Sequence, residues 1–176
     1  MEHTVLKIAV LLFGLAAAPQ GAPTLTFDQI VYTRQFVSTT PDIRLAEYVA
    51  PGETVENWTT LVAVRNFRKL DNPAAAVAEF SKTLKQSNPL ARFEISVKPN
   101  GSEAIIDFLT WPEDASYAEF NVFRYIKRTA QSGLIAYQFA YRFTDTSDEG
   151  AEKFKKDRQR WVDEMTRADF PLDFTK

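Results

Sequence analysis

The sequence predicts an α+β fold in which one largely antiparallel sheet of six to seven strands carries two helices. Three observations predict this class. Apolar and polar residues alternate through several short segments rich in β-branched and aromatic residues, as in half-buried strands. Short turn sequences join neighbouring segments, which favours hairpins and therefore antiparallel pairing. Helical spacing of apolar residues appears in two segments, one in the middle of the chain and one near its end.

The N-terminal residues are typical of a secretory signal peptide. Lys7 precedes an apolar run over residues 8–18, and proline, glycine and alanine dominate residues 19–23. A basic residue, a short apolar run and small residues at the cleavage point define such a peptide, and a membrane span needs roughly 20 apolar residues. We therefore expect a signal peptide over residues 1–22 and a single domain over residues 23–176. Export to the periplasm or the medium, with no stable membrane anchor after cleavage, is the expected outcome.

The composition narrows the chemistry of the exported domain. The single histidine, His3, lies inside the predicted signal peptide, and the chain contains no cysteine. Without an imidazole or a thiol, most nucleophile–base pairs and most transition-metal sites are excluded. A net charge of −2 and a pI near 5.5 lack the basic excess of a nucleic-acid-binding surface. We therefore expect no catalytic residue, no metal or other cofactor, and no nucleic-acid partner.

Three segments after the signal peptide are predicted strands. Residues 30–36 form a weakly patterned extended segment. Residues 43–49 alternate between polar and apolar types and end at a Pro-Gly turn. Residues 58–67 are rich in β-branched residues and form the third strand. Their spacing predicts that they pair as sequential neighbours.

A helix and a hairpin follow these strands. Asn72 is the predicted N-cap and Pro73 the first helical residue, and apolar residues recur at helical spacing until a Ser-Asn-Pro sequence ends the helix. Residues 91–98 alternate strictly and form a strand. The turn at residues 99–102 contains an Asn-Gly pair, which accepts positive φ, and leads to a partner strand over residues 104–111.

A second hairpin and a helix complete the chain. Predicted strands over residues 117–128 and 134–143 are joined by a Gln-Ser-Gly turn at residues 131–133. A Thr-x-x-Glu capping box, with Thr146 at the cap and Glu149 three residues later, starts the last helix. The apolar stripe of this helix contains Ala151, Phe154, Trp161, Met165 and Ala168.

Some predicted strands are apolar on both faces. In the strand over residues 104–111, Ile105 and Leu109 alternate with Ile106 and Phe108. A central strand covered on both sides is the simplest explanation of this pattern. We therefore expect one helix on each face of the sheet, which makes an α/β/α sandwich.

The predicted order of elements supports a family resemblance. N-terminal strands, a middle helix after a tryptophan-containing strand, an antiparallel run and a long C-terminal helix together resemble the PsbP/Mog1-like α/β/α architecture. Residues 47–59 (EYVAPGETVENWT) also resemble a signature of small exported bacterial proteins of uncharacterised function. The PsbP/Mog1-like group includes photosystem accessory subunits and chaperone-like binding domains. The resemblance implies a binding or accessory role and carries over no catalytic residue.

Aromatic residues on the last strands form the main candidate face for a ligand or partner. One interpretation is that they pack as core beneath the last helix, because aromatic side chains usually serve the core. The other is a partly open apolar cleft, rimmed by tyrosine hydroxyls and an arginine, that takes a lipid, a peptide or a partner helix. The candidate residues are Tyr117, Phe123, Tyr125, Tyr137, Phe139, Tyr141 and Arg142.

The turn before the third predicted strand holds a second candidate. Trp58 either fills the core at the start of its strand or, with Glu53 and Asn57, forms an exposed recognition turn. Both interpretations suit a tryptophan, which combines a large apolar surface with one polar N–H group.

Carboxylates are the remaining general acid–base groups. Glu47, Glu53 and Glu56 lie near the Pro-Gly turn, and Asp107 and Glu119 lie on adjacent predicted strands. A glycosidase holds two such groups about 5 to 10 Å apart. The alternative is that these carboxylates are solvated or pair with arginine or lysine on neighbouring strands.

These observations predict an exported, non-enzymatic binding or accessory domain that binds an apolar ligand or a protein partner. Two alternatives come from other classes. A histidine-free, carboxylate-dependent hydrolase requires at least two of the carboxylates to converge in one pocket. A structural subunit of an envelope assembly requires a flat exposed apolar patch.

Overall fold

The computed structural model describes residues 21–128, 132–145 and 147–175. Within these residues the chain forms one eight-stranded antiparallel sheet and two helices. The predicted α+β class is confirmed, and the expected six to seven strands are corrected to eight. Residues 1–20, which make up most of the predicted signal peptide, lie outside the described residues. No helix in the described part of the chain is long and apolar enough to span a bilayer.

The elements occur in a simple order along the chain. The strands are β1 (Thr24–Phe27), β2 (Ile30–Thr39), β3 (Ile43–Val49), β4 (Thr60–Phe67), β5 (Arg92–Val97), β6 (Glu103–Thr110), β7 (Ala118–Lys127) and β8 (Leu134–Phe143). The helices are α1 (Pro73–Ser87) and α2 (Asp148–Arg167). The predicted strands are therefore confirmed with shifted ends, the largest shift at a start being that of β4, which begins two residues after Trp58.

The sheet consists of two antiparallel runs joined in the middle. Its strand order is β1-β2-β3-β4-β8-β7-β6-β5. The junction is the pairing of β4 with β8, from Thr60 opposite Tyr141 to Phe67 opposite Leu134. Helix α1 carries the chain from the central strand β4 to the edge strand β5. The first and last halves of the chain therefore share one sheet.

Strand β1 is the strand that the sequence analysis missed. It joins β2 through a two-residue turn at Asp28 and Gln29, whose φ values are 47° and 64°. Turns with positive φ at both positions usually contain glycine or asparagine, so the sequence carries no obvious signal for this one. Contacts with α2 hold the turn: Arg160 Nε and Nη2 donate to the Asp28 carboxylate at 2.9 and 2.8 Å, and Trp161 Nε1 donates to it at 2.7 Å.

The start of α1 and both later hairpins follow the predictions. Asn72 caps α1 by accepting a hydrogen bond from the Ala75 N–H at 3.1 Å, and Pro73 is the first helical residue. Gly101 has φ 68° in the turn between β5 and β6. Gly133 has φ 111° between β7 and β8, and a Cβ there would lie 2.5 Å from the Phe67 carbonyl oxygen. Residues 129–131, including part of that predicted turn, lie outside the described residues.

Helix α2 has a different cap from the predicted one. Its N-cap is Ser147, whose Oγ accepts a hydrogen bond from the Gly150 N–H at 3.1 Å. Asp145 accepts from both the N–H and the hydroxyl of Ser147, which orients that hydroxyl toward the helix. The predicted cap, Thr146, lies outside the described residues. The capping box is therefore corrected to a serine cap one residue later.

The two helices pack on opposite faces of the sheet. Helix α1 covers β5, β6 and β7, where Val77 and Leu84 pack against a cluster that includes Ile106 and Phe123. Helix α2 contacts β7 and β8 on the other face, where Trp161 belongs to the core cluster. Successive strand residues point to opposite faces, so the apolar residues on both sides of β6 and β7 serve both layers. The expected one helix on each face is what the structure contains.

Hydrogen bonds and ion pairs join α2 to the sheet in addition to the packing of its apolar stripe. Arg124 on β7 donates to the Met165 and Ala168 carbonyl oxygens at 3.3 and 2.8 Å, which satisfies carbonyls at the helix C-terminus. Arg158 donates to Asp107 on β6 at 2.8 Å through Nε. The segment after α2 continues over the same face, and Arg34 on β2 binds Asp173 at 3.2 Å. This face is closed along most of its width.

Candidate functional site

Polar side chains lie in the middle of the sheet face that α1 covers only in part. The face is identified by alternation, because Leu61, Ala63 and Phe67 on β4 contact the clusters of that side. Strands β3, β4, β8 and β7 contribute the polar residues in sheet order. We call this set the polar row: Glu47, Arg65, Gln138, Asn121, Glu119 and Arg142.

Hydrogen bonds connect five members of the polar row into one chain. Arg65 Nη1 donates to Gln138 Oε1, and Gln138 Nε2 donates to Asn121 Oδ1 at 2.6 Å. Asn121 Nδ2 donates to Glu119 Oε1 at 3.0 Å. Arg142 Nε completes the chain by donating to Glu119 Oε2 at 2.9 Å. Each side chain therefore fixes the orientation of the next, as in other buried polar networks.

The interior of this network is withdrawn from water while its ends are not. Asn121 and Gln138 are 3% and 8% exposed, whereas Arg65, Arg142 and Glu119 are half-buried. Buried polar groups are costly unless their hydrogen bonds are made, and the partners in this row satisfy that condition. The row is thus an ordered polar network whose centre is buried and whose ends are partly exposed.

Glu47 is the member of the row that stands outside the hydrogen-bonded chain. Burial raises the pKa of Glu47, and the charge of Arg65 opposes this increase. Burial likewise lowers the pKa of Arg65, which Glu47 opposes. Within the described residues the half-buried Glu47 carboxylate forms no hydrogen bond. Its oxygen atoms are therefore hydrogen-bond acceptors that the strand holds in place and that receive no donor from the described residues.

Aromatic rings contact the arginines at the two ends of the hydrogen-bonded chain. The guanidinium carbon of Arg142 lies 3.7 Å from the centroid of the Trp58 ring and 5.2 Å from that of Tyr117. The guanidinium carbon of Arg65 lies 5.3 Å from the Phe123 ring. Such cation–π contacts are each worth about 0.5–2 kcal/mol. They hold both guanidinium groups against the aromatic rings and so restrict the conformations of the two arginines.

The turn that carries Trp58 is anchored by a residue of the predicted recognition turn. Glu53 accepts hydrogen bonds from the Thr59 and Thr60 N–H groups at 2.9 and 3.3 Å. Trp58 is half-buried and packs with Val55 against the small cluster on β3, β4 and β8. Asn57 is exposed, and its N–H donates to the Thr54 hydroxyl at 3.1 Å. Of the three, Trp58 alone contributes a side chain to the edge of the row.

The predicted aromatic face does not form one surface. Tyr137, Phe139 and Tyr141 lie beneath α2, where Tyr137 and Phe139 are 4% and 1% exposed. Phe123 and Tyr125 lie on the opposite face, also buried. Phe123 and Tyr125 pair with Gln138 and Ala136, the residues of β8 that alternate with its tyrosines and Phe139. Because successive strand residues point to opposite faces, the two groups of rings lie on opposite sides of the sheet. The open-cleft interpretation is therefore corrected for these five residues, of which four are buried core and Tyr141 is half-buried against the core. Two members lie elsewhere, beside the polar row: Tyr117 and Arg142.

Burial changes the titration of these tyrosines. It raises the pKa of Tyr125 to about 12, and it also raises the pKa values of Tyr137 and Tyr141. The Tyr137 hydroxyl donates to the Phe170 carbonyl oxygen at 3.2 Å. Tyr125 and Tyr137 are therefore buried groups of the core rather than part of a solvated rim, whereas Tyr141 is half-buried.

The carboxylates of the hydrolase alternative do not converge. Asp107 faces α2 and binds Arg158, while Glu119 faces the polar row on the opposite side of the sheet. Glu47 and Glu119 share a face but stand three strand spacings apart, at least about 14 Å. Glu53 is bound by backbone N–H groups, and Glu56 is exposed. The expected cross-strand pairing is found for Glu119 with Arg142, whereas Asp107 pairs with a helix residue.

The sequence analysis missed three members of the row. Arg65, Asn121 and Gln138 each interrupt an apolar stretch of a central strand. A polar residue inside such a stretch is informative because central strands are usually covered on both faces. These three polar residues form a site only because strand pairing brings them together. The pairing of β4 with β8 joins segments far apart in the sequence, so no short sequence pattern predicts it.

A separate cavity of about 430 Å³ lies between the β1–β2 turn and the end of α2. Its lining includes Asp28, Glu164, Arg167 and Asp169. These side chains carry mixed charge, and Asp28 is already bound by Arg160 and Trp161. Among the described residues there is no cluster of three acidic or histidine side chains able to hold a metal ion.

Comparison with known proteins adds a family but not a named relative. A protein-family model matches residues 20–170. The chain belongs to this family. The family is uncharacterised, and the matched range contains every residue of the polar row. No curated protein and no solved structure matches the chain.

Proposed function

We propose that the protein is an exported, non-enzymatic accessory domain that binds a protein partner through the polar row. One observation carries this proposal: a hydrogen-bonded polar network lies at the centre of a sheet face that α1 leaves partly uncovered. An apolar row at these positions would favour stability, so the retained polarity calls for another explanation. A preorganised surface for a partner supplies one, because ordered side chains lose little entropy on binding.

The chemistry of the row suits a protein surface better than an apolar small ligand. It combines two arginines, two carboxylates and the half-buried rings of Trp58 and Tyr117. Aromatic residues and arginine are enriched at protein interfaces and dominate their binding energy. The cavity beside α2 is lined by Phe27 and Phe170 together with charged side chains of both signs, so it is not a purely apolar pocket. A partner segment with apolar side chains and free amide or basic groups would complement this face.

Two further proposals accompany this one. The order of layers, with one helix on each face of an antiparallel sheet, supports a PsbP/Mog1-like type of fold. The basic and apolar pattern of residues 1–22 supports export to the periplasm or the medium. A carboxylate-dependent hydrolase receives less support, because the candidate carboxylates lie apart.

Site-specific photo-crosslinking tests the proposed partner face. A benzophenone amino acid replaces Phe36, which pairs with Glu47 across β2 and β3 and is half-buried. The control places the same group at Lys155 on the exposed side of α2. In the exported fraction of the native host, we expect a discrete crosslinked product from position 36 and none from position 155.

Reconstitution then decides whether the row itself binds. The captured protein is purified, and its dissociation constant is measured with the wild-type chain and with the Glu47→Gln and Trp58→Ala variants. We expect each variant to weaken binding about tenfold, equivalent to about 1.4 kcal/mol. Binding that neither variant changes would overturn the proposal. A co-purifying small molecule in native mass spectra, lost on denaturation, would support an apolar ligand instead.

A further inference from the structure

Strand β5 forms one edge of the sheet and exposes apolar side chains there. Among the described residues its sole strand neighbour is β6, so the backbone groups on its outer side pair with no strand in that part of the chain. Ile95 and Val97 are 40% and 41% exposed on the face that carries α1. Exposed edges of this kind are sites where another strand can pair.

Strand β5 lacks a bulge and a proline, and its charged residues, Arg92 and Glu94, lie on one face only. Its register with β6 runs without a bulge from Arg92 opposite Leu109 to Val97 opposite Ala104. No proline occurs within the strand, and no charged side chain points to the α1 face. Soluble proteins commonly blunt an edge with one of these devices. The edge of β5 is therefore apolar on the α1 face and charged on the other face.

The outward backbone groups of β5 can be assigned from one hydrogen bond. The Lys98 N–H donates to the Glu103 carbonyl oxygen at 3.0 Å, so Lys98 directs its backbone toward β6. Directions alternate along an antiparallel strand, so Ser96 and Glu94 do the same. Ile95 and Val97 consequently direct their N–H and C=O groups outward.

We propose that two copies of this chain pair through β5, antiparallel, with Ser96 opposite Ser96 of the second copy. This register places Glu94 opposite Lys98 and Ile95 opposite Val97, each twice by symmetry. Both residues of the apolar pair direct their backbone groups outward, so they form the hydrogen-bonded pairs across the interface. Opposite charges are thus matched on one face and apolar residues on the other. Within its own chain Glu94 also contacts Arg158 at 2.9 Å and Lys98 contacts Glu103 at 2.5 Å, so the pairing would share these ion pairs with the second copy.

Neighbouring registers are less favourable for the same strand. A pairing centred on Ile95 places Arg92 opposite Lys98, and one centred on Glu94 places two carboxylates opposite each other. Like charges directly opposite are destabilising. The dimer would continue each eight-stranded sheet into that of the other copy and leave the polar row free.

A cysteine scan tests the register directly, because the natural chain has no cysteine. In the proposed register, position 96 forms a non-hydrogen-bonded pair with itself, and its Cα atoms lie about 4.5 Å apart. This distance permits a disulfide. Ser96→Cys should therefore give a disulfide-linked dimer on oxidation. Glu94→Cys is the matched control, since its Cα atoms would lie about 13 Å apart.

Charge reversal provides a second measurement without cysteine. Sedimentation velocity over a concentration series is expected to show a wild-type monomer–dimer equilibrium. Glu94→Lys and Lys98→Glu should each shift it to the monomer by about tenfold in the dissociation constant, and the double variant should restore the dimer. Circular dichroism confirms folding of each variant. A wild-type chain that stays monomeric, or a Glu94→Cys variant that crosslinks as readily as Ser96→Cys, would overturn the proposal.

Discussion

Beneath α2, Trp161 packs against Phe120, Phe139 and Tyr141 with ring centroids 5.7, 5.1 and 4.9 Å away. On the opposite face of the same strands, α1 stops short and the polar row follows. The same four strands β3, β4, β7 and β8 supply side chains to both surfaces. One face is a closed core with ion pairs to the helix, and the other is an ordered surface that remains partly open. The comparison shows a closed, ion-paired core and a partly open polar network on opposite sides of one sheet.

The largest expected difference between the two faces is in the stability lost when the tryptophan of each face is replaced by alanine. Trp161 is 5% exposed and Trp58 is half-buried at the end of the polar row. Trp161→Ala removes a buried ring and should lower the free energy of unfolding by about 3–5 kcal/mol. Trp58→Ala removes the contact with Arg142 and the packing of a half-buried ring against the small cluster on β3, β4 and β8, and it should cost less, about 1–2 kcal/mol. Urea unfolding monitored by circular dichroism measures both.

Equal losses for the two variants would contradict the distinction between a closed and an open face. A further control is the oligomeric state, which should be the same for both variants because neither residue lies on β5.

A smaller and pH-dependent effect is expected at the ion pair beneath α2. Burial raises the pKa of Asp107, although Arg158 lowers it, so the folded state favours the protonated carboxyl. Stability therefore falls as the pH rises from the ordinary aspartate range through the raised pKa. Arg158→Ala removes the cation that stabilises the ionised Asp107, so the loss of stability with rising pH becomes larger. We expect a cost of about 2 kcal/mol at pH 7 and a smaller one at pH 4.

Unfolding free energies at both pH values test this sign. Adding Asp107→Asn to the Arg158→Ala variant removes the buried charge and should recover most of the loss at pH 7. A cost that is the same at pH 4 and pH 7 would mean that Asp107 does not titrate differently in the folded state.

The smallest effect is expected on the open face, where the substitution should raise rather than lower the stability. Burial raises the pKa of Glu47, so ionisation of this carboxyl disfavours the folded state as the pH rises. Glu47→Gln keeps the shape and removes the charge. Its melting temperature should therefore exceed that of the wild type at pH 7 and match it at acidic pH, where Glu47 is protonated. Destabilisation at pH 7 would assign Glu47 a structural role through Arg65.

A gain in stability together with weaker partner binding would sharpen the comparison further. Residues that serve binding are often retained at a cost in stability. Glu47 would then be an example on the open face, while no such conflict is expected at Asp107.

Prediction succeeded where the signal is local. Asn72 followed by Pro73 identified the start of α1, because a capping side chain and a proline act on their own turn of helix. The Asn-Gly turn identified the hairpin of β5 and β6. Strand β1 was missed because its turn uses Asp28 and Gln29 at positive φ, stabilised by distant contacts with Arg160 and Trp161.

The candidate site was predictable only in fragments. The sequence marked Trp58 and Arg142, but it linked the arginine to buried aromatic residues of β8 rather than to the tryptophan. Their stacking at 3.7 Å requires β4 to pair with β8 across nearly half of the chain. Pairings between distant segments depend on the free energy of the whole sheet, which short-range patterns do not report.

The sequence by itself determined the α+β class, the position of both helices, the hairpins and the absence of cysteine, because periodicity, capping and turn chemistry act over a few residues. Tertiary structure decided which aromatic residues are core, which polar residues meet in the row, and which strand is left at the edge. Those outcomes depend on register between strands, since a shift of one residue moves each side chain to the other face.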